Sequence, residues 1–147
     1  IDPATGELVD TIKAGDFPAA IAAGGGDMWV VNVRGDAAPT GATSSLKPPE
    51  GTVWRLDMKT GERIGDPIPV PIRPQAIAAD DQNVWVVSVD GDTLLRIDAR
   101  TGVRDKLPIL IGNAPTDLAI VPDGAQAGDV WVTNSKDDEA ARVERPR

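Results

Sequence analysis

The same pattern is written three times in this chain, and no other feature limits its fold as much. An apolar-Asp step followed by Thr-Gly occurs as IDPATGELV at 1–9, LDMKTGERI at 56–64 and IDARTGVRD at 97–105. Between these copies lie FPAAIAAGGGDMWVVN (17–32), RPQAIAADDQNVWVVS (73–88) and APTDLAIVPDGAQAGDVWVTN (114–134). In register, Pro18, Pro74 and Pro115 correspond, as do Ile21, Ile77 and Leu118, and Trp29, Trp85 and Trp131. A fixed period marks a series of equivalent units, none of which can bury its apolar face alone. The interval from Thr60 to Thr101 sets that period at about 41 residues. The first unit is longer because GDAAPTGATSSLKPPEG (35–51), rich in Pro, Gly, Ser and Thr without periodicity, reads as an inserted loop. The shorter PDGAQAGD (122–129) lengthens the third unit in the same way.

Each unit resolves into four short strands, here A to D. Strand A follows the Pro and reads x-Ile-Ala; strand B is the Trp strand, as in NVWVVSV (83–89), with the period-2 alternation of a pleated surface. Asp90-Gly91 signals the hairpin into strand C, TLLRID (93–98), and Thr-Gly closes the next turn with a glycine suited to positive φ. Strand D is the apolar piece that follows, such as ELVDTI (7–12) or KLPILI (106–111). No segment carries a sustained helical stripe, so the chain is all-β. Four antiparallel strands per unit of about 41 residues is the pattern of a β-propeller blade. The expected architecture is a single propeller segment over 1–147, with units at about 1–55, 56–96 and 97–147. AARVERPR (140–147) aligns with LLRIDART (94–101), so the third blade is expected to stop at strand C and the first to be preceded by an orphan strand D. Closed propellers take four to eight blades. Either this arc belongs to a larger propeller, or two copies form a six-bladed homodimer, each strand D completing the partner's last blade.

Composition excludes whole classes of chemistry. The sequence contains no Cys, His or Tyr, which removes disulfides, thiolate and imidazole ligands, and the Ser-His-Asp triad. The chain therefore points away from an enzyme, and no catalytic residue, metal ligand or cofactor is expected within it. A net charge of −8, with 15 basic residues scattered among 23 acidic ones, opposes binding to nucleic acid or an anionic membrane. No run approaches the roughly 20 apolar residues needed to span a bilayer, and IDPATGELVD lacks the basic and apolar regions of a signal peptide. The carboxylates of DGD (90–92) and DDQN (80–83) lack the spacing and distal Glu of a calcium loop and read as hairpin turns.

The three B-strand tryptophans are expected to pack between adjacent blades. Trp54 stands in strand C, where the other units have Leu95 and Ala141. Asp57 and Asp98 are expected to accept turn N–H bonds, and Arg55, Arg96 and Arg142 to pair with acids. Function is then left to the rim that carries the D–A connections AGDFP (14–18), PIRP (71–74) and GNAP (112–115), the B–C turns and the 35–51 insertion. The candidate ligand-binding residues are Asn32, Ser88 and Asn134 at the ends of the Trp strands, with Arg73 and Asn113 in the connections.

The pattern PxxIA, WV, R(I/L)D and TG in that order resembles the YVTN/NHL-type propeller repeats, including the virginiamycin B lyase-like group and the sensor propellers of bacterial receptor kinases. It covers nearly the whole chain outside the two insertions. The resemblance implies a propeller, and with it a non-catalytic binding or sensor module, extracytoplasmic and bacterial, recognising a protein, peptide or glycan through its rim loops. It also implies two alternatives: a streptogramin lyase-like enzyme, or a calcium-dependent lactonase-like propeller. Lyase chemistry in that group depends on a His base and an acidic metal-binding group. With no His here, those residues carry over to no position and would have to lie outside this chain.

Overall fold

The alternation of the Trp strands is realised as pleated strands in three antiparallel sheets. The structure, a computed structural model, describes residues 2–34 and 51–145; the inserted loop lies outside the described residues except for Gly51, which opens a strand. The first sheet holds β1 (Pro18–Gly24), β2 (Asp27–Asn32), β3 (Gly51–Asp57) and β4 (Ile68–Val70), in that order. The second repeats it with β5 (Pro74–Ala79), β6 (Asn83–Ser88), β7 (Thr93–Asp98) and β8 (Ile109–Leu110). The third holds β9 (Pro115–Ile120), β10 (Val130–Asn134) and β11 (Glu139–Val143), with no fourth strand among the described residues. Each sheet is one blade of a propeller arc, with the inner strands β1, β5 and β9 side by side.

Register repeats with the sequence. Trp29 lies between Ala22 and Arg55, Trp85 between Ala78 and Arg96, and Trp131 between Ala119 and Arg142. In the first sheet the Arg55 guanidinium carbon lies 5.1 Å from the centroid of the Trp29 ring. The register slips by one residue just after each inner-strand Pro, a bulge shared by all three sheets.

Two blade interfaces form the core. Trp29, Val31, Val53 and Val70 of the first sheet pack on Ile77, Val84, Val86, Leu95 and Ile97 of the second. Ala76, Trp85, Val87 and Leu94, on the second sheet's other face, pack on Val130 and Val132 of the third. With both faces covered, all six residues of β6 are buried. In β10 burial alternates, and Trp131 and Thr133 are exposed. Trp29 and Trp85 therefore sit between blades as expected, whereas Trp131 does not, because no sheet within the described residues covers it.

Two local details depart from the sequence reading. The β6–β7 hairpin forms, but its left-handed residue is Asp92 (φ 51°) rather than Gly91; Asp tolerates that region better than most side chains. Residues 7–12 form no strand and have no ladder partner among the described residues. The turn before them is nonetheless built. Gly6 N–H donates to the Asp2 carbonyl at 2.7 Å and Ala4 N–H to Asp2 Oδ1 at 2.7 Å, echoing the turns at Asp57 and Asp98.

Candidate functional site

The rim is shaped by one backbone device used three times. In each D–A connection the residue before the Pro lies in the left-handed region: Phe17 (φ 54°), Arg73 (φ 51°) and Ala114 (φ 51°). Both its side chain and the following Pro disfavour this conformation. It is held because the three carbonyls accept hydrogen bonds from Val33, Val89 and Ser135 N–H at 3.0, 3.1 and 3.1 Å, just past the ends of the Trp strands. At two of these positions the side chain meets solvent, with Phe17 57% exposed and the Arg73 side chain 59% exposed.

The five candidates divide into two layers. Asn32, Ser88 and Asn134 are buried beneath the rim. Ser88 Oγ donates to the Pro71 carbonyl at 3.2 Å and Asn134 Nδ2 to that of Ile111 at 2.7 Å, so these two side chains pin the D–A connections to the Trp strands. The fit is close: a Cβ on Gly112 (φ 115°) would collide with Asn134, and one on Gly15 (φ 113°) with Asn32. Neither polar atom of the Asn32 side chain has a hydrogen-bond partner among the described residues.

Arg73 and Asn113 lie at the surface, each engaged with an acid of a B–C turn. Arg73 Nη1 meets Asp90 Oδ1 at 2.9 Å, with both groups largely in solvent. Asn113 donates twice to Asp137, through its backbone N–H at 2.7 Å and its Nδ2 at 2.6 Å. The first of these bonds, aided by the second, holds the Asp137 carboxyl below the usual carboxylate range. Asp92 Oδ1 accepts the Ala114 N–H at 2.8 Å and ties the second sheet's turn to the third sheet's inner strand. The resulting surface offers a guanidinium, an amide and carboxylates whose partners can be exchanged for those of a ligand.

One rim feature is not among the five candidates. Arg34 lies over the Phe17 ring, its guanidinium carbon 4.1 Å from the centroid, an exposed cation–π pair. The available signal was that the only Phe of the sequence stands in register with Arg73, beside the connection's Pro.

The opposite edge is occupied by structure. Asp98 Oδ1 accepts the N–H groups of Thr101 and Arg100 at 2.8 and 3.0 Å, and Asp57 Oδ1 those of Thr60 and Lys59 at 2.8 Å each. The Thr101 and Thr60 amides are the leading cause of the lowered pKa of these two aspartates. Arg55 pairs with Asp27 at 2.6 Å and Arg142 with Asp129 at 2.7 Å. The second unit has Asn83 at the equivalent position, and Arg96 takes its carboxylate from Asp105 instead, at 2.8 Å. Among the described residues, no group of three or more His, Cys, Asp or Glu is placed to hold a metal ion.

No protein-family model and no curated protein sequence matches this chain. Among solved structures it is similar to Kuenenia stuttgartiensis hydrazine synthase, with a TM-score of 0.58 and 17% identity over 95% of the chain. A streptogramin B lyase structure aligns with a TM-score of 0.46 and 18% identity over 88% of the chain. The chain spans 39% of the hydrazine synthase chain and 55% of the lyase chain. The first likeness is one of fold.

Proposed function

We propose that this arc of YVTN/NHL-type blades, of the kind found in the virginiamycin B lyase-like and sensor propellers, is a non-catalytic module that recognises a protein or peptide through its D–A rim. The observation that carries this reading is the repeated left-handed connection, which presents Phe17, under Arg34, and Arg73 to solvent from a rigid scaffold. Exposed aromatic and arginine side chains on fixed backbone are the groups from which binding hot spots are built. Arg73–Asp90 and Asn113–Asp137 supply exchangeable polar contacts beside them. The rim carboxylates Asp90, Asp92 and Asp137 each hold a hydrogen bond or ion pair to a D–A connection, contacts that the polar groups of a bound peptide can take over.

The test is selection from a peptide-display library, followed by binding to wild type and to Phe17→Ala, Arg73→Ala and Asn113→Ala. A hot-spot side chain costs at least about 2 kcal/mol on truncation, so Phe17→Ala is expected to weaken selected peptides by roughly 30-fold at an unchanged melting temperature. Binders indifferent to all three substitutions would remove the rim from the account. Binding on a glycan array with no peptide selected would replace the ligand class.

A further inference from the structure

Two faces of this arc complement each other. Within the chain, each Trp face is covered by an Ile-Val face of the next sheet: Trp29 and Val31 by Ile77 and Val86, then Trp85 and Val87 by Leu118 and Val132. One face of each kind has no covering sheet among the described residues. On the third sheet, Trp131 is 43% exposed in a shallow groove of about 140 Å³, lined also by Asp117, Ala119, Thr133 and Ala140. On the first sheet, Val30, Trp54 and Leu56 of the corresponding face are buried, with Ala14 packed against them, but its inner end is open: Ile21 holds the register position of Ile77, opposite Val30 as Ile77 is opposite Val86, and it is 60% exposed.

The strand edges complement each other as well. In the second sheet, β7 receives strand D with Thr93 opposite Leu110 and Leu94 opposite Ile109. Its counterpart β11 receives none among the described residues. Conversely, the segment after Gly6 holds the place of a strand D with no strand C beside it among the described residues. Ile12 lies against Gly61 of the first sheet as Ile68 of β4 lies against Gly102 of the second. Leu8, Val9 and Ile12 are exposed there. Aligning Gly15 with Gly112 and Glu139 with Thr93 puts Ile12 opposite Ala140 and Lys13 opposite Glu139. The second pair is oppositely charged, and both of its members are exposed in the single chain.

We propose that the occupant is a second copy of this chain. Residues 7–13 of each copy add to β11 of the other as its fourth strand, and the Trp131 face of each docks on the Ile21 face of its partner. Two three-bladed arcs then close into a six-bladed ring, a number within the usual range for propellers. The closure removes two exposed strand edges at once, the hazard that unpaired edges present. It does not depend on the rim's ligand, so either reading can fail without the other.

Light scattering on the whole chain at tens of micromolar is expected to give about twice the 15.4 kDa chain mass. A single-chain mass overturns the proposal. Register is read by disulfide trapping, which is clean because the sequence has no Cys. Directly opposed antiparallel residues have Cα atoms about 4.5–5.5 Å apart, within disulfide reach. Mixing Lys13→Cys with Glu139→Cys under mild oxidation is expected to give a cross-linked heterodimer, which neither variant forms alone. A two-chain mass without this cross-link overturns the strand exchange. Charge reversal gives an independent reading: Lys13→Glu or Glu139→Lys is expected to raise the dissociation constant about tenfold, and the double reversal to restore it. Unchanged association in both single variants counts against the proposal.

Discussion

Trp85→Ala and Trp131→Ala remove the same side chain from the same register position of two blades, and the structure assigns them very different costs. Trp85 is 1% exposed between the second and third sheets; Trp131 is 43% exposed on the outer face of the third. A buried Trp removes about 150–250 Å² from water, which at about 25 cal/mol per Å² is worth roughly 4–6 kcal/mol. Alanine keeps part of this, and the cavity left in a close-packed interface adds to the loss. Trp85→Ala is therefore expected to cost about 4 kcal/mol, within the 3–5 kcal/mol usual for such truncations. Trp131→Ala opens no enclosed cavity and loses a little over half as much burial, about 2 kcal/mol. In urea, with a slope of about 2 kcal/mol per molar, the midpoints should fall by about 2 M and about 1 M respectively. The comparison is made on dilute protein so that association does not contribute. Equal losses at the two sites, or less than 1 kcal/mol at Trp85, would refute blade-interface packing as the source of stability.

Three further outcomes follow from particular contacts. Asp57 and Asp98 have lowered pKa values because turn amides bond their charged form; their contribution is present above the ordinary carboxylate pKa near 3.9 and is lost as pH falls through the lower folded values. An Asp57→Asn, Asp98→Asn variant keeps the acceptor but not the titration, so its melting temperature should drop less than wild type's between pH 5 and pH 2.5. Asp105→Ala leaves Arg96 with only Asn83 and should cost about 1 kcal/mol or less; adding Asn83→Asp should recover it by recreating the first unit's Arg55–Asp27 pair, as measured by a double-mutant cycle in urea. Gly112→Ala forces a side chain into a left-handed position against Asn134 and should cost about 2 kcal/mol or more by thermal melting.

The fold was legible because its signals are local and threefold: the Trp strand, the Asp-x-x-Thr-Gly turn and the inner-strand Pro each recur in register. Repetition also made the interior assignment of Trp29 and Trp85 straightforward. It misled at Trp131, whose environment depends on a neighbouring blade rather than on its own strand. The candidate site was legible only in outline. Arg73 and Asn113 lie on the rim surface, but Asn32, Ser88 and Asn134 are buried below it, because a polar residue closing a B strand is within reach of the preceding connection's carbonyl. Phe17 was obscured because the equivalent residues, Arg73 and Ala114, share its backbone conformation and not its chemistry. The exchange of Asp105 for the missing acid at Asn83 is likewise a spatial compensation that an aligned repeat does not reveal.

Acrylamide quenching of tryptophan fluorescence across a dilution series bears most directly on the central claim, that every Trp face in this arc is built to be covered by a neighbouring blade. Trp29, Trp54 and Trp85 are buried and should stay protected at every concentration. Trp131 should be quenched in dilute protein, protected in concentrated protein, and its quenchable component should vanish in Trp131→Phe. More than one accessible tryptophan at any concentration, or quenching of Trp131 that does not change with dilution, would contradict the account.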